Sequence, residues 1–339
     1  MPFYGVRATV MGLGRHGGGM AAARYLAEHG AIVTVTDLAD AAVLADSIVS
    51  LADAPIERFA LGGHHDEDFA HAELVIVNPA VKPDNRFISL ARQSGTRITS
   101  EIELFLEACP STVIGVTGTV GKSTTAAMTA AAIEASGRRT WLGGNIGRSL
   151  LPDLARIRPD DWVVLELSSF QLHWLRSAAR WPTFAALTNF AANHLDWHPN
   201  VEHYRQSKER LLDHAERVIE PWREPDVPTL QAPGCHNRAN AALAAACAEA
   251  AGADGASIDR ALSGFRGLPH RLALVAEIDG RQFFNDSKAT TPEAAIAALD
   301  AIDRPTWILL GGADKGVDLV PLCRAVGRRA RGAALFGAV

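Results

Sequence analysis

No stretch of this 339-residue chain reaches the ~18 uncharged apolar residues that a membrane-crossing helix needs, so no membrane span is expected. The N-terminus, Met1-Pro2-Phe3-Tyr4-Gly5, lacks a basic segment followed by an apolar one, which argues against a secretory signal. Basic charge is not in excess. Lys and Arg number 33 against 38 Asp and Glu, a net charge of −5, so no nucleic acid or anionic membrane is expected as a partner. Cysteine is scarce: Cys109, Cys235, Cys247 and Cys323 are scattered, with no CxxC or other metal-like spacing. They read as reduced thiols, mostly buried. Short-period repeats and low-complexity tracts are also missing. Together these absences predict a soluble cytoplasmic chain, expected to be a monomer. With 48% hydrophobic residues it is long enough for two or three domains with cores of their own.

Short apolar runs alternate with alanine-rich helical stretches through most of the chain, a rhythm that predicts βα units and mostly parallel sheets. In a first block, Ala8–Met11 reads as a strand, Gly18–His29 as a helix, and Ala31–Thr36 and Leu74–Val77 as strands. A second block has strands at Val113–Val116, Trp162–Leu167 and Phe184–Thr188. Its helices are expected from Ser123 to about Ser136, over about Val201–Val218 and over Asn237–Ala251. Glu220–Pro233 is proline-rich and charged and reads as a linker. In a third block, Leu272–Ile278 and Arg281–Asn285 flank Asp279-Gly280, a hairpin signal. A helix begins at Pro292, Thr306–Leu310 is a strand, and Ala333–Phe336 starts another where the sequence stops, so this block is expected to be incomplete.

Two glycine-rich turns carry chemistry. Gly115-Val116-Thr117-Gly118-Thr119-Val120-Gly121-Lys122-Ser123-Thr124 follows a buried strand and opens a helix. Glycines let backbone N–H groups converge on phosphate oxygens, the helix N-terminus adds positive potential, Lys122 reaches outer phosphates and Ser123 can ligate Mg²⁺. The strict phosphate-loop spacing wants glycine at 116, where Val116 stands, so this is a GxxGxxGKST variant. A chance lysine in a glycine-rich turn is the bland alternative; strand, loop, helix and GKST tail together outweigh it. The loop reads as an ATP site through Gly118, Thr119, Gly121, Lys122, Ser123 and Thr124. The other turn, Gly12-Leu13-Gly14-Arg15-His16-Gly17, follows the first strand, with Asp37 twenty residues beyond Gly17. That pattern fits a dinucleotide site, another nucleoside diphosphate, or a structural turn without ligand.

Four further stretches narrow the choice: Gly143-Gly144-Asn145-Ile146-Gly147, Leu165-Glu166-Leu167-Ser168-Ser169-Phe170-Gln171-Leu172, Asn193-His194-Leu195-Asp196, and Asn285-Asp286-Ser287-Lys288-Ala289-Thr290. With the GKST loop, and in this order, they resemble the Mur ligase family of peptidoglycan synthesis, in its D-glutamate-adding branch. The resemblance implies an α/β architecture of three domains. Residues 1–102 would be a Rossmann-like UDP-substrate domain, 103–267 a central P-loop ATPase-like parallel sheet, and 268–339 a Rossmann-like amino-acid domain, incomplete here. It implies an ATP-dependent ligase that joins D-glutamate to UDP-N-acetylmuramoyl-L-alanine.

The resemblance assigns Arg15, His16 and Asp37 to the uridine diphosphate, and Asn145, Ser168 and Gln171 to the muramoyl-alanine portion. Lys122, Glu166, His194 and Lys208 would be catalytic. Two Mg²⁺ ions are implied, one at Ser123 and Glu166 and one at His194 and Lys208, with Lys208 carbamylated by CO₂ so that it can ligate a cation. Asn237, Asn240, Arg271 and Asp286 would bind ATP; Lys288, Thr290 and Lys315 would hold D-glutamate. Without the family, Lys208 reads as a solvated surface lysine, His194 as a loop histidine, and Asn237 and Asn240 as a helix N-cap and a helix-surface residue.

Three departures accompany the resemblance: Val120 where the family usually has a polar residue, often Asn; a shortened stretch from Val218 to Gly234; and a sequence that stops within the expected third domain, before the segment whose Ser and Phe complete the family's D-glutamate site. A Mur ligase adding another amino acid, a nucleotide-binding relative without ligase activity, and an NAD enzyme are the competing readings.

Overall fold

The structure is a computed structural model that describes residues 2–13, 17–223, 226–231, 234–313 and 317–338. It packs as two compact units, one of residues 1–126 with 137–219 and one of residues 127–136 with 220–339.

The first unit contains two five-stranded parallel sheets. Strands β1 (Arg7–Met11), β2 (Ile32–Asp37), β3 (Arg58–Leu61), β4 (Leu74–Val77) and β5 (Arg97–Thr99) lie in the order β3-β2-β1-β4-β5. Helices α1 (Gly18–Glu28), α2 (Ala45–Val49), α3 (Asp66–Ala70), α4 (Arg86–Gln93) and α5 (Glu101–Ala108) connect them. The strands are Val- and Ile-rich because helices cover the sheet; β4 is buried at all four residues. Gly19 opens α1 against the sheet. A Cβ there would stand 2.4 Å from the Gly12 carbonyl oxygen, so only glycine allows this approach of helix and strand.

The second sheet runs β10-β9-β6-β8-β7, from β6 (Thr112–Thr117), β7 (Thr140–Gly144), β8 (Trp162–Glu166), β9 (Phe184–Leu187) and β10 (Arg217–Val218). Its helices are α7 (Ser169–Trp174), α8 (Val201–His214) and the start of α6 (Lys122–Ala135), whose residues from 127 on belong to the second unit. The helix expected to reach Val218 stops at His214, because Arg217 and Val218 leave it to pair with Phe184 and Ala185 of β9.

The two sheets share core. Val10, Leu26 and Val33 belong to the same buried cluster as Phe105, Val163, Leu165 and Leu211. On the other face Trp174 and Trp197 pack with Met11, Phe69, Val75, Val77 and Ile88. Both indoles find acceptors in the loop after β4: Trp174 Nε1 donates to the Val81 carbonyl at 3.3 Å and Trp197 Nε1 to that of Ala80 at 3.2 Å. A buried carboxylate adds a polar tie. Glu103 of α5, fully buried, accepts from the Arg176 backbone N–H at 2.9 Å and from its side chain at 2.5 Å.

The second unit holds α9 (Cys235–Ala250), α10 (Gly255–Gly264), the antiparallel hairpin of β11 (Ala273–Ile278) and β12 (Arg281–Asn285), α11 (Pro292–Asp300), β13 (Thr306–Gly312), α12 (Val320–Arg329) and β14 (Ala330–Gly337). Strands β13 and β14 pair in parallel, and β14 starts at Ala330, earlier than the expected Ala333. At the hairpin Asp279 and Gly280 have φ of 51° and 74°, which suits the tight turn their sequence signals. Among the described residues Cys109 and Cys247 are buried free thiols and Cys323 is exposed. No helix among the described residues is long and apolar enough to cross a membrane.

Replacing Trp174 by Ala removes a side chain that fills one face of the first sheet while anchored on the second. The substitution is expected to cost about 3–5 kcal/mol, seen as a lower urea midpoint for the first unit. A loss below ~1 kcal/mol would mean that the shared core contributes little.

Candidate functional site

In a parallel sheet the ligand crevice lies beyond the carboxyl ends of the strands, at the point where the strand order reverses. In the second sheet that point is β6, between β8 and β9. Four strand ends deliver the candidate residues there. β6 runs into the glycine loop, β7 into Asn145, β8 ends on Glu166, and β9 leads to Thr188 and Asn189.

Glu166 pairs in register with Val116 on one side and Gly144 on the other, which fixes its place beside the phosphate loop. Gly144 has φ 90°, and a Cβ on it would stand 2.3 Å from the Glu166 carbonyl oxygen; glycine is required here for both reasons. The following residue bonds Glu166 twice. Asn145 N–H donates to its carbonyl at 2.8 Å, and Asn145 Nδ2 donates to Oε1 at 2.7 Å. Only 2% of Glu166 is exposed, and its other oxygen, Oε2, is buried with no hydrogen-bond partner among the described residues. A carboxylate half-satisfied inside a protein is costly, and a cation is its natural complement.

Lys208 is not a surface lysine. On α8 it is 2% exposed, and its Nζ donates to the Gly118 carbonyl at 2.6 Å. Burial, with Lys122 nearby, pulls its ammonium from the ordinary 10.5 down to about 7, against the opposing pull of Glu166. Tyr204, one turn earlier on α8, ties the parts together. Lys208 Nζ lies 4.6 Å from the Tyr204 ring centroid, the His194 ring 6.2 Å from it, and the Tyr204 hydroxyl hydrogen-bonds Thr119 Oγ1 at 3.0 Å. His194 is exposed in a left-handed conformation with φ 56°, its ring edge-on to Phe170 at 4.9 Å. Its carbonyl accepts from the N–H groups of Trp197 and His198, which closes the turn.

The phosphate loop itself is held from below. Lys122 Nζ donates to the Thr119 carbonyl at 2.9 Å, and Ser123 and Thr124 are buried in the first turn of α6. Ser168 and Gln171 form a reciprocal cap at the start of α7: the Gln171 N–H donates to Ser168 Oγ at 3.2 Å, and the Ser168 N–H to Gln171 Oε1 at 2.9 Å. In the first sheet Asp37 ends β2, and its Oδ1 accepts from the Ala39 N–H at 2.9 Å. Arg15, His16 and Lys315 lie outside the described residues.

In the second unit Asn237 and Asn240 are both buried within α9, whose N-cap is Gly234, so neither is a cap or a helix-surface residue. Asn240 Nδ2 donates to Asn237 Oδ1 at 3.2 Å. Asp286 accepts from the Leu272 N–H at 2.8 Å; burial raises its carboxyl, while Arg271 and His236 oppose the shift. Lys288 and Thr290 are exposed in the loop before α11.

Sequence reading missed Tyr204 and Asn189. Tyr204 sits four residues before Lys208, the spacing that shares a helix face, and Asn189 follows a buried strand at the crevice edge. Among the described residues no group of three or more His, Cys, Asp or Glu is arranged to hold a metal alone.

The depressed Lys208 has a pH signature. Between about 7 and the ordinary lysine value the folded chain binds fewer protons than the unfolded one, so stability from this group rises with pH across that window. In CO₂-depleted buffer, Lys208→Met is expected to stabilise the protein most near pH ~6 and progressively less toward pH ~9, measured by urea midpoints. An advantage that does not change with pH would mark an ordinary solvated amine.

Two family models match the chain: the Mur ligase MurD-like N-terminal domain over residues 6–100 and the Mur ligase middle domain over residues 116–221. UDP-N-acetylmuramoylalanine--D-glutamate ligase of Roseiflexus sp. is 38% identical over 99% of this chain and 84% of its own length. The enzyme of the same name from Geobacter metallireducens is 33% identical over 99% and 84%. Among solved structures, UDP-N-acetylmuramate-alanine ligase from Thermotoga maritima superposes with a TM-score of 0.61 at 19% identity, over 98% of this chain and 85% of that one. A pseudomurein peptide ligase type C from Methanothermus fervidus gives 0.53 at 17%, over 98% and 88%. At those identities the structural likeness speaks for the fold, while the 38% relative, spanned over 84% of its length, goes further: the chain belongs to the Mur ligase family.

Proposed function

We propose that this protein is an ATP-dependent ligase that joins D-glutamate to UDP-N-acetylmuramoyl-L-alanine in peptidoglycan precursor synthesis, forming ADP and phosphate. The observation that carries the reading is the pairing of Glu166, buried with one oxygen unpartnered, with the buried Lys208 beneath a phosphate loop. The names of the similar ligases support the choice of substrates. The working division of the chain is 1–102 for the UDP-substrate, 103–267 for ATP and 268–339 for the amino acid.

ATP's phosphates lie on the N–H groups at the start of α6, with Lys122 at the outer phosphates. The alanine carboxylate attacks the γ-phosphorus in line, ADP leaves, and an acyl phosphate forms. The D-glutamate amine then attacks the acyl carbon, phosphate leaves and the amine gives up a proton. Ser123 and Glu166 fit one Mg²⁺: a hydroxyl and a buried, half-satisfied carboxylate are the hard oxygen donors it takes. His194 and Lys208 fit a second ion only if Lys208 becomes an anion. An amine whose pKa is pulled down to about 7 has a substantial free-base fraction at neutral pH, and a free amine adds CO₂ with loss of one proton to give a carbamate. Bound Mg²⁺ neutralises charge spread over the transferring phosphate oxygens.

Arg15, His16 and Asp37 are assigned to the uridine diphosphate, and Asn145, Ser168 and Gln171 to muramoyl-alanine. Asn237, Asn240, Arg271 and Asp286 are assigned to ATP, and Lys288, Thr290 and Lys315 to D-glutamate. Lysines suit a substrate with two carboxylates.

ADP release with ATP and UDP-N-acetylmuramoyl-L-alanine is expected to be stimulated by D-glutamate and not by L-glutamate, L-alanine or diaminopimelate. Stimulation by another of these would reassign the amino acid; release with none, despite ATP binding, would remove the ligase reading. Lys208→Ala is expected to lower turnover by about 100-fold or more, the scale of losing transition-state charge stabilisation. A carbamate ¹³C resonance from labelled bicarbonate should vanish in the same variant.

A further inference from the structure

The phosphate loop carries valine at position 120, a residue that is 44% exposed and whose aliphatic side chain makes no hydrogen bond. The peptide of Val120 is held on both sides instead, by one residue that follows the neighbouring strand β9. Val120 N–H donates to Asn189 Oδ1 at 3.0 Å, and Asn189 Nδ2 donates to the Val120 carbonyl at 2.8 Å. Backbone contacts extend the attachment: Thr119 N–H donates to the Asn189 carbonyl at 3.0 Å, and Thr188 Oγ1 donates to the Val120 carbonyl at 2.6 Å. Thr119 Oγ1 donates to the Ala191 carbonyl and accepts from the Ala191 N–H, both at 3.0 Å. Gly118 has φ 143°, and a Cβ there would fall 2.0 Å from Thr188 Oγ1, so the loop lies directly on this segment.

We propose that Asn189 is a positioning residue for ATP: its carboxamide clasps the Val120 peptide and sets the phosphate loop before nucleotide arrives. The inference rests on reading Gly118–Thr124 as an ATP-phosphate loop. The physical argument has two parts. An N–H already bonded to Asn189 is oriented away from phosphate, so it fixes loop shape and leaves the phosphates to the N–H groups that follow at the start of α6. A loop ordered in advance does not spend nucleotide binding energy on ordering itself. Because the clasp engages main chain, it is indifferent to the side chain at 120, which accounts for valine at a position where a polar residue is expected. Among the twenty side chains a carboxamide at this reach both accepts and donates. Aspartate keeps the acceptor, loses the donor and adds a negative charge near phosphate; leucine keeps the shape and loses both bonds.

Calorimetric titration of the full chain with a non-hydrolysable ATP analogue, and separately with UDP-N-acetylmuramoyl-L-alanine, tests this. Asn189→Leu is expected to weaken the analogue by about 10-fold or more, as loss of two hydrogen bonds implies, with UDP-substrate affinity within about 2-fold. Asn189→Asp is expected to weaken the analogue as well, since its retained acceptor does not replace the donor. Analogue affinity in Asn189→Leu within about 2-fold of the parent overturns the inference, as does a parallel fall in affinity for the UDP-substrate, which would signal general disruption. A parent protein that binds the UDP-substrate but no analogue removes the ATP reading, and this inference with it.

Discussion

A carboxylate placed where water does not reach is the constraint around which the first unit is organised. Glu166 ends a central strand, with both neighbours in register, so its backbone is immobile and its side chain has little choice of direction. One oxygen is satisfied by Asn145, and the next strand needs glycine at 144 to leave room for the Glu166 carbonyl. The other oxygen is unsatisfied. A buried carboxylate with an open acceptor is costly, and a cation bound there would relieve that cost. Lys208 shows the same tension with opposite sign: burial favours the neutral amine, and the neutral amine is the reactive form. Both positions carry a cost of burial, one for each sign of charge.

Much of the scaffold was legible in the sequence for a simple reason. Parallel strands buried on both faces read as unbroken runs of Val, Ile and Leu, and the turns that follow them need glycine where a Cβ would strike backbone. Gly118 and Gly144, both within motifs visible in the sequence, mark such close approaches, Gly144 to the Glu166 carbonyl and Gly118 to Thr188 Oγ1. The short elements were not legible. β3 and β5 are four and three residues long, too brief for a period to show, and β10 is two residues that a helical pattern runs straight into.

The site was legible to a different degree. The phosphate loop declares itself by local spacing, but the burial of Lys208 does not, because its helix carries charged residues on both sides of it in sequence. Only packing against Tyr204 and Gly118 reveals which of them is inside. Asn237 and Asn240 misled in the same way: an asparagine near a helix start suggests a cap, yet here the two bond each other within buried helix surface. Asn189 carries no motif. Its partners are a peptide N–H and a carbonyl, groups every residue possesses, so no pattern in the chain points to it.

The indoles of Trp174 and Trp197 reach from the second sheet to the carbonyls of residues 80 and 81 behind the first. Each sheet, with its own helices, has the layout of a separate βα module. Here the bond acceptors sit on one module and the donors on the other, in a loop whose path must be kept to the width of a hydrogen bond. Because the acceptors are main-chain carbonyls, the indoles depend on the path of that loop and not on its side chains, and a change that reroutes residues 80 and 81 would leave two buried indole N–H groups with nothing to face.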